Sequence, residues 1–308
     1  MFTPTGRAIE IVAGGSRAVV GTVAAVLRSL AVDGVELTEP IGDGEPPRFA
    51  NGTVLSPWPN RVGDGLWSLD GRPQQLVITE PDRHNAIHGL LRYADYEIRE
   101  RSDDAVVLGA LIAPQPGWPA LVETWVEYRA LPDGLRVRHG ARNRSGMSIP
   151  YAVGAHPFLR LGDAPVEQLR LTVHADTRFE TDERLLPVAE RPVAGTPFDL
   201  RAGVRVGDVG GLLDTAFGGV RHAADGEVAR LEDPAAGRRL SLHQDADWRY
   251  LQVFSPLAFP GADGRARPAI AIEPMSAPPD ALRSGEGLVR LAPGERWEGG
   301  WALRLGHD

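Results

Sequence analysis

Val122-Glu123-Thr124-Trp125-Val126-Glu127-Tyr128-Arg129, then Pro132-Asp133-Gly134, then Leu135-Arg136-Val137-Arg138, is the stretch that decides the fold class. Val122, Thr124, Val126 and Tyr128 alternate with Glu123, Trp125, Glu127 and Arg129, the period of a strand with one buried face. The Pro-Asp-Gly segment interrupts this pattern and Leu135 to Arg138 resume it. The stretch therefore predicts strand, tight turn, strand.

The same alternation recurs in Leu169 to His174, in Leu240 to His243 and in Trp301 to Leu305. Asp70-Gly71, Asp225-Gly226 and Asp263-Gly264 are further turn signals. With 36 Gly and 26 Pro in 308 residues, little room is left for long helices. No window of twelve residues carries a helical apolar stripe; the best short helical turns lie near Asp208 to Leu213 and Asp280 to Gly285. There is no Pro/Ser-rich linker, no composition shift and no internal repeat. The expectation is an all-β chain, one large antiparallel β-sandwich domain spanning residues 1–308.

The composition, 43% hydrophobic and 24% charged, is that of a globular protein. The net charge is 33 − 41 = −8 and no Lys/Arg-rich block occurs, so neither nucleic acid nor an anionic membrane is an expected partner. The absence of cysteine excludes disulfides, thiolate metal sites and a Cys nucleophile, and is compatible with a reducing compartment. The apolar run Ala18 to Leu27 is broken by Gly21 and Thr22 and followed by Arg28. It reads as a poor signal segment and is too short to span a bilayer, so a cytoplasmic protein is expected, monomer or homodimer.

Three segments concentrate chemistry: Asn85-Ala86-Ile87-His88-Gly89-Leu90, Gly154-Ala155-His156-Pro157-Phe158 and Ile272-Glu273-Pro274-Met275. Each sets one ionisable side chain among apolar, Gly or Pro neighbours. Two imidazoles and a carboxylate can give a proton to one oxygen while taking one from another near neutral pH. The three lie 68 and 117 residues apart, so only the fold can unite them.

Together with Pro57-Trp58-Pro59-Asn60-Arg61, Leu213-Asp214 and Leu251-Gln252-Val253-Phe254, these segments resemble the aldose 1-epimerase (galactose mutarotase-like) family. They run in family order across most of the chain. The wording from Glu273 to Ala281 is similar to a bacterial branch that includes sulfosugar mutarotase-like proteins. The resemblance implies a galactose mutarotase-like supersandwich. It also implies interconversion of the α and β anomers of a free aldose by ring opening and reclosure, with no cofactor and no metal. Two places depart from the family pattern: Thr215 after Asp214, and the Trp58 and Trp67 region, which leaves the sugar open.

On this resemblance His156 is the acid at the ring oxygen O5 and Glu273 the base at the C1 hydroxyl. His88 contacts the sugar and supports charge at the reacting centre. Arg61 and Asp214 hold hydroxyls, with Asn60 and Gln252 near the sugar. Pro157 holds His156 extended, and Glu273 ends an apolar run, Ala269 to Ile272, that reads as a buried strand. Each residue also has a plainer explanation. His156 fits a core histidine at a strand end, Glu273 a salt bridge to an Arg, and His88 a loop histidine bonded to backbone. Neighbouring carboxylates are expected to push His156 upward in pKa, and Arg61 to push Glu273 downward. Three other functions compete: a metal triad, an inactive carbohydrate-binding protein of the same fold, and a hexose-phosphate mutarotase. The last should show extra Arg or Lys around the far end of the sugar.

Overall fold

The structure, a computed structural model, describes residues 3–209, 211, 213–261 and 264–307. The hairpin read from sequence is present as strands Val122–Leu131 and Gly134–Asn143, paired from Val122 opposite Asn143 to Leu131 opposite Gly134. Val122, Thr124, Val126, Tyr128 and Ala130 face inward and are buried, so the alternation in the sequence is the alternation of faces. Pro132-Asp133 forms the two-residue loop, where the fixed φ of proline suits the turn.

Among the described residues this hairpin lies within a nine-stranded antiparallel sheet. The C-terminal strand Arg296–His307 inserts between Gly134–Asn143 and Arg238–Gln244, closing the sheet with its most distant segment. An N-terminal four-stranded sheet, from Ala8–Ala13 to Val35–Glu36, packs against the hairpin. The apolar run Ala18 to Leu27 belongs to it: Ala18, Val20, Ala24, Ala25, Val26 and Leu27 are all buried. The main apolar core gathers residues from Ile9 to Leu305.

An eight-stranded sheet carries Asp214, Gln252 and Glu273. Its central strands are Ala175–Thr181, Asp214–Val220, Tyr250–Phe254 and Ile270–Met275, with Gly154–Ala155 and Phe158–Leu159 both pairing to Ile270–Met275. Every residue of Ile270–Met275 is buried, as the apolar run predicted. Ile270 and Ile272 enter the main core, Ala271 joins Phe158 and Phe259, and Met275 joins Phe179 and Tyr250. The two isoleucines, at about 1.5–3 kcal/mol each for full burial, fix the register. A slip of one residue would turn Glu273 into the core.

Among the described residues the α-helical segments are Val206–Val209 and Ala281–Ser284. The first begins two residues before the expected turn at Asp208, and Gly210 and Leu212 of that turn lie outside the described residues. Asp263, the first half of one expected turn, also lies outside them. No helix among the described residues is long and apolar enough to cross a membrane.

Candidate active site

Strand alternation places three of the expected residues on one face. Gln252 lies directly opposite Glu273, and Asp214 lies diagonally from Gln252 on the next strand. Leu251, Val253 and Ile272, their chain neighbours, point the other way into the main core. His156 follows Gly154–Ala155, where the sheet passes close to a loop. A Cβ on Gly154 would lie 2.9 Å from Pro59 and 3.1 Å from the Pro274 carbonyl oxygen. The His156 backbone is pinned on both sides, its N–H donating to Thr53 and its carbonyl accepting from Gly52.

Asn60 and His88 sit on turns in the left-handed region, with φ of +54° and +64°. The two turns are joined, since the His88 N–H donates to the Asn60 carbonyl at 3.0 Å. Gly89 is required beside them: a Cβ there would lie 2.1 Å from the Ser56 carbonyl oxygen.

All seven expected residues, Asn60, Arg61, His88, His156, Asp214, Gln252 and Glu273, line one cleft of about 520 Å³. At its floor His156 Nε2 lies 3.2 Å from Glu273 Oε1, and the ring of His88 stands edge-on to that of His156 at 5.5 Å. The His156 ring also stacks on Phe158 at 5.4 Å. Along the wall Asn60 Nδ2 donates to Gln252 Oε1 (3.2 Å) and Gln252 Nε2 donates to Asp214 Oδ1 (2.6 Å). Arg61 Nη2 lies 3.9 Å from Asp214 Oδ2. The atoms His88 Nδ1, His156 Nδ1 and Glu273 Oε2 are buried without a hydrogen-bond partner among the described residues. Buried polar atoms are seldom left so, and these three gather at one place.

The ionisation expected from sequence is reversed. Burial holds His156 down to about 4 in pKa, with Arg61 and Arg92 adding to the effect against a backbone hydrogen bond. Burial pushes Glu273 well above the usual carboxylate range; the Asp214 charge adds to this and Arg61 opposes it. Burial also keeps His88 neutral, so support from it would come through hydrogen bonds and not through charge. Desolvation outweighs the neighbouring charges because both members of the pair are almost wholly inside, at 5% and 2% exposed. At 3.2 Å the contact has ion-pair geometry, yet the neutral form of each group is favoured. The neutral pair and the ion pair carry the same number of protons and differ only in which atom holds one.

Sequence reasoning missed Glu80. Its carboxylate takes the Nε and Nη2 edge of Arg61 (3.0 and 3.1 Å) and accepts from Asn85 Nδ2 at 2.9 Å. Burial raises its pKa, but the hydrogen bonds from Arg61 and Asn85 outweigh that and lower it overall. Glu80 therefore fixes one edge of the Arg61 fork. In the sequence it begins the charged segment Glu80-Pro81-Asp82-Arg83, which reads as a solvated loop. Arg83, Arg92 and Phe49 also line the cleft and carry no distinctive local pattern. Trp58 and Trp67 pack in the core against Trp118 at 6.2 and 5.6 Å and do not line the cleft. Among the described residues no three His, Cys, Asp or Glu side chains are grouped to hold a metal ion.

The pattern of the aldose 1-epimerase family matches residues 7–304. The chain belongs to the aldose 1-epimerase family. The uncharacterized protein YihR of Escherichia coli K12 is 30% identical to it over 292 residues, covering 94% of this chain and 91% of that one. Human galactose mutarotase is 28% identical over 266 residues, covering 80% and 76%. The crystal structure of a GalM/aldose epimerase homologue from C. elegans superposes with a TM-score of 0.85 at 21% identity, covering 98% and 99%. That likeness speaks to the fold, and it supports an all-β galactose mutarotase-like sandwich.

Proposed function

We propose that this epimerase-family chain is a mutarotase that interconverts the anomers of a free aldopyranose, with His156 and Glu273 as the proton-transfer pair. The observation that carries the reading is the 3.2 Å contact between His156 Nε2 and Glu273 Oε1 at the floor of a cleft walled by hydrogen-bonding side chains. Arg61, Asp214, Asn60 and Gln252 offer the sugar a row of donors and acceptors already ordered among themselves.

Ring opening draws on the charged form of the pair. The Glu273 carboxylate accepts the O1 proton, the C1–O1 bond becomes a carbonyl, and the electrons of the breaking C1–O5 bond pass to O5. O5 takes the Nε2 proton of the His156 imidazolium. The enzyme is left with protonated Glu273 and neutral His156, the form that burial favours in the free cleft. The open aldehyde turns about C1–C2, and the same transfers in reverse close the ring on its other face. The protein thus disfavours the ion pair it must form against the closed sugar and favours the neutral pair that faces the open one. Forming the ion pair costs free energy in the closed-ring complex, and that energy is released as the two protons move.

Freshly dissolved single anomers of glucose, galactose, xylose, a hexose 6-phosphate and a 6-sulfonated hexose, followed by polarimetry or NMR, test the reading. At least one should relax faster with protein, to an unchanged final ratio. No acceleration across the panel, with sugar still bound, would identify an inactive carbohydrate-binding protein. The charged sugars are included because Arg83 and Arg92 line the cleft, the feature expected of a mutarotase for an anionic aldose.

A further inference from the structure

Phe49 is a large apolar side chain in an exposed position, 48% exposed, on the wall of the cleft that contains His156 and Glu273. Its ring meets Phe158, Phe254 and Phe259 at centroid distances of 6.4, 6.1 and 5.9 Å, and Phe254 also lines the cleft. One side of the ring is thus backed by aromatic rings while the residue stays half open to solvent.

The backbone beneath it is strained. Phe49 and Ala50 both lie in the left-handed region, with φ of +53° and +57°, in the short turn Arg48–Ala50. Residues without the freedom of glycine hold that conformation only where surrounding contacts enforce it. Those contacts are present. Asn51, 2% exposed, donates from Nδ2 to the Glu39 carbonyl and accepts at Oδ1 from the Phe158 N–H. Thr53 Oγ1 donates to the Ala50 carbonyl, and the next backbone bonds reach Gly52 and His156. The turn that lifts Phe49 to the cleft is therefore fastened to the same segment that fastens His156. The hydrogen-bonding wall formed by Asn60, Arg61, Asp214 and Gln252 suits the hydroxyl rim of a pyranose. A pyranose also has faces of C–H groups, which hydrogen-bonding groups do not satisfy.

Resting on the mutarotase reading of this cleft, we infer that Phe49 is a substrate-contacting residue, the stacking platform for the C–H face of the bound pyranose. A contact of this kind is made equally in the ground state and the transition state, so it contributes to KM and leaves kcat alone.

The test compares wild type with Phe49→Ala, Phe49→Leu and Phe49→Tyr. Anomer exchange is read by NMR and binding by calorimetric titration with glucose, galactose and xylose. Phe49→Ala should raise KM and Kd about tenfold, Phe49→Leu should raise them less, and Phe49→Tyr should restore wild-type values, all with kcat near wild type. Unchanged KM and Kd in Phe49→Ala would overturn the inference. So would a fall in kcat at constant KM, since that would make the ring only a support for Phe158 and His156. If the wild type accelerates no sugar, the mutarotase reading fails on its own and the titrations still decide the platform. Binding lost in Phe49→Ala and kept in Phe49→Tyr would support it; equal binding in all forms, or none by the wild type, would overturn it.

Discussion

At the scale of single residues, the roles proposed for His156 and Glu273 make the state of that pair set the pH behaviour. The active pair holds one transferable proton. Below about 4, His156 is protonated beside an already protonated Glu273, and the base is lost. Above the raised pKa of Glu273 the pair has lost its proton and the acid is gone. The kcat/KM profile should therefore be a bell, with His156 dominating the acid limb and Glu273 the alkaline one, the reverse of the order that isolated side chains would give. Glu273→Gln should lower kcat by about 10²–10⁴ and flatten the alkaline limb of whatever activity remains. His156→Asn should lower it similarly and flatten the acid limb. An alkaline limb that survives Glu273→Gln unchanged would move the proton elsewhere. A second residue-scale prediction concerns Glu80, which occupies one edge of the Arg61 fork. Glu80→Gln keeps an oxygen acceptor but removes the charge that orients Arg61, so KM should rise with kcat much less affected. Arg61→Ala and Asp214→Ala should raise KM at least as much as they lower kcat. Steady-state kinetics on the three variants separate these effects, and an unchanged KM in Glu80→Gln would make its contact with Arg61 irrelevant to the sugar.

At the scale of elements, a histidine is also buried away from the cleft. His139, on strand Gly134–Asn143, is 1% exposed and accepts at Nε2 from Trp301 Nε1 (3.1 Å) on the neighbouring strand Arg296–His307. Burial holds its pKa down to about 3. The unfolded chain takes up this proton first, so the stability is present above about 6.5 and is lost as pH falls toward 3. Between pH 6.5 and 5 the loss should be about 2 kcal/mol. His139→Gln keeps an acceptor for Trp301 without a titrating group, and its stability in urea should fall less over that interval by about the same amount. Equal pH slopes in the two proteins would mean that His139 is protonated in the fold. Much at this scale was legible in the sequence. The hairpin from Val122 to Asn143 could be read because one buried face imposes period two, and Glu273 because an apolar run ending in a carboxylate is unusual. The pairing of Arg296–His307 between two strands far from it in sequence could not be read, since any alternating strand offers the same edge. Glu80 could not be read either, because a carboxylate before a proline looks alike whether it holds a guanidinium or faces water. The protonation state of the pair escaped for a related reason: desolvation is a property of the assembled cleft.

At the scale of the whole molecule, the cleft exists only when the chain is folded throughout. Its lining comes from positions 49, 60, 61, 80, 88, 156, 214, 252 and 273, and those at 214, 252 and 273 are carried by a sheet whose central strands back onto the main core. No local segment contains more than a fragment of it, so a sugar that binds the cleft has nothing comparable to bind in the unfolded chain. Binding to the native state alone adds RT ln(1 + [L]/Kd) to stability, about 2.7 kcal/mol at a hundredfold excess over Kd. For a chain of this size that corresponds to a rise in melting temperature of roughly 5 °C. The rise should follow the sugar: present for an aldose whose anomers the protein interconverts, absent for one it ignores. It should persist in Glu273→Gln, which keeps the shape of the floor while losing the proposed base, and shrink in Arg61→Ala and Asp214→Ala, which lose the proposed hydroxyl contacts. Thermal denaturation followed by circular dichroism, with and without saturating sugar, reads all four proteins. Catalysis without any shift in melting would mean that the cleft forms and dissolves independently of the core beneath it. The burial of Ile270 and Ile272 on the reverse side of the strand that carries Glu273 argues against that outcome.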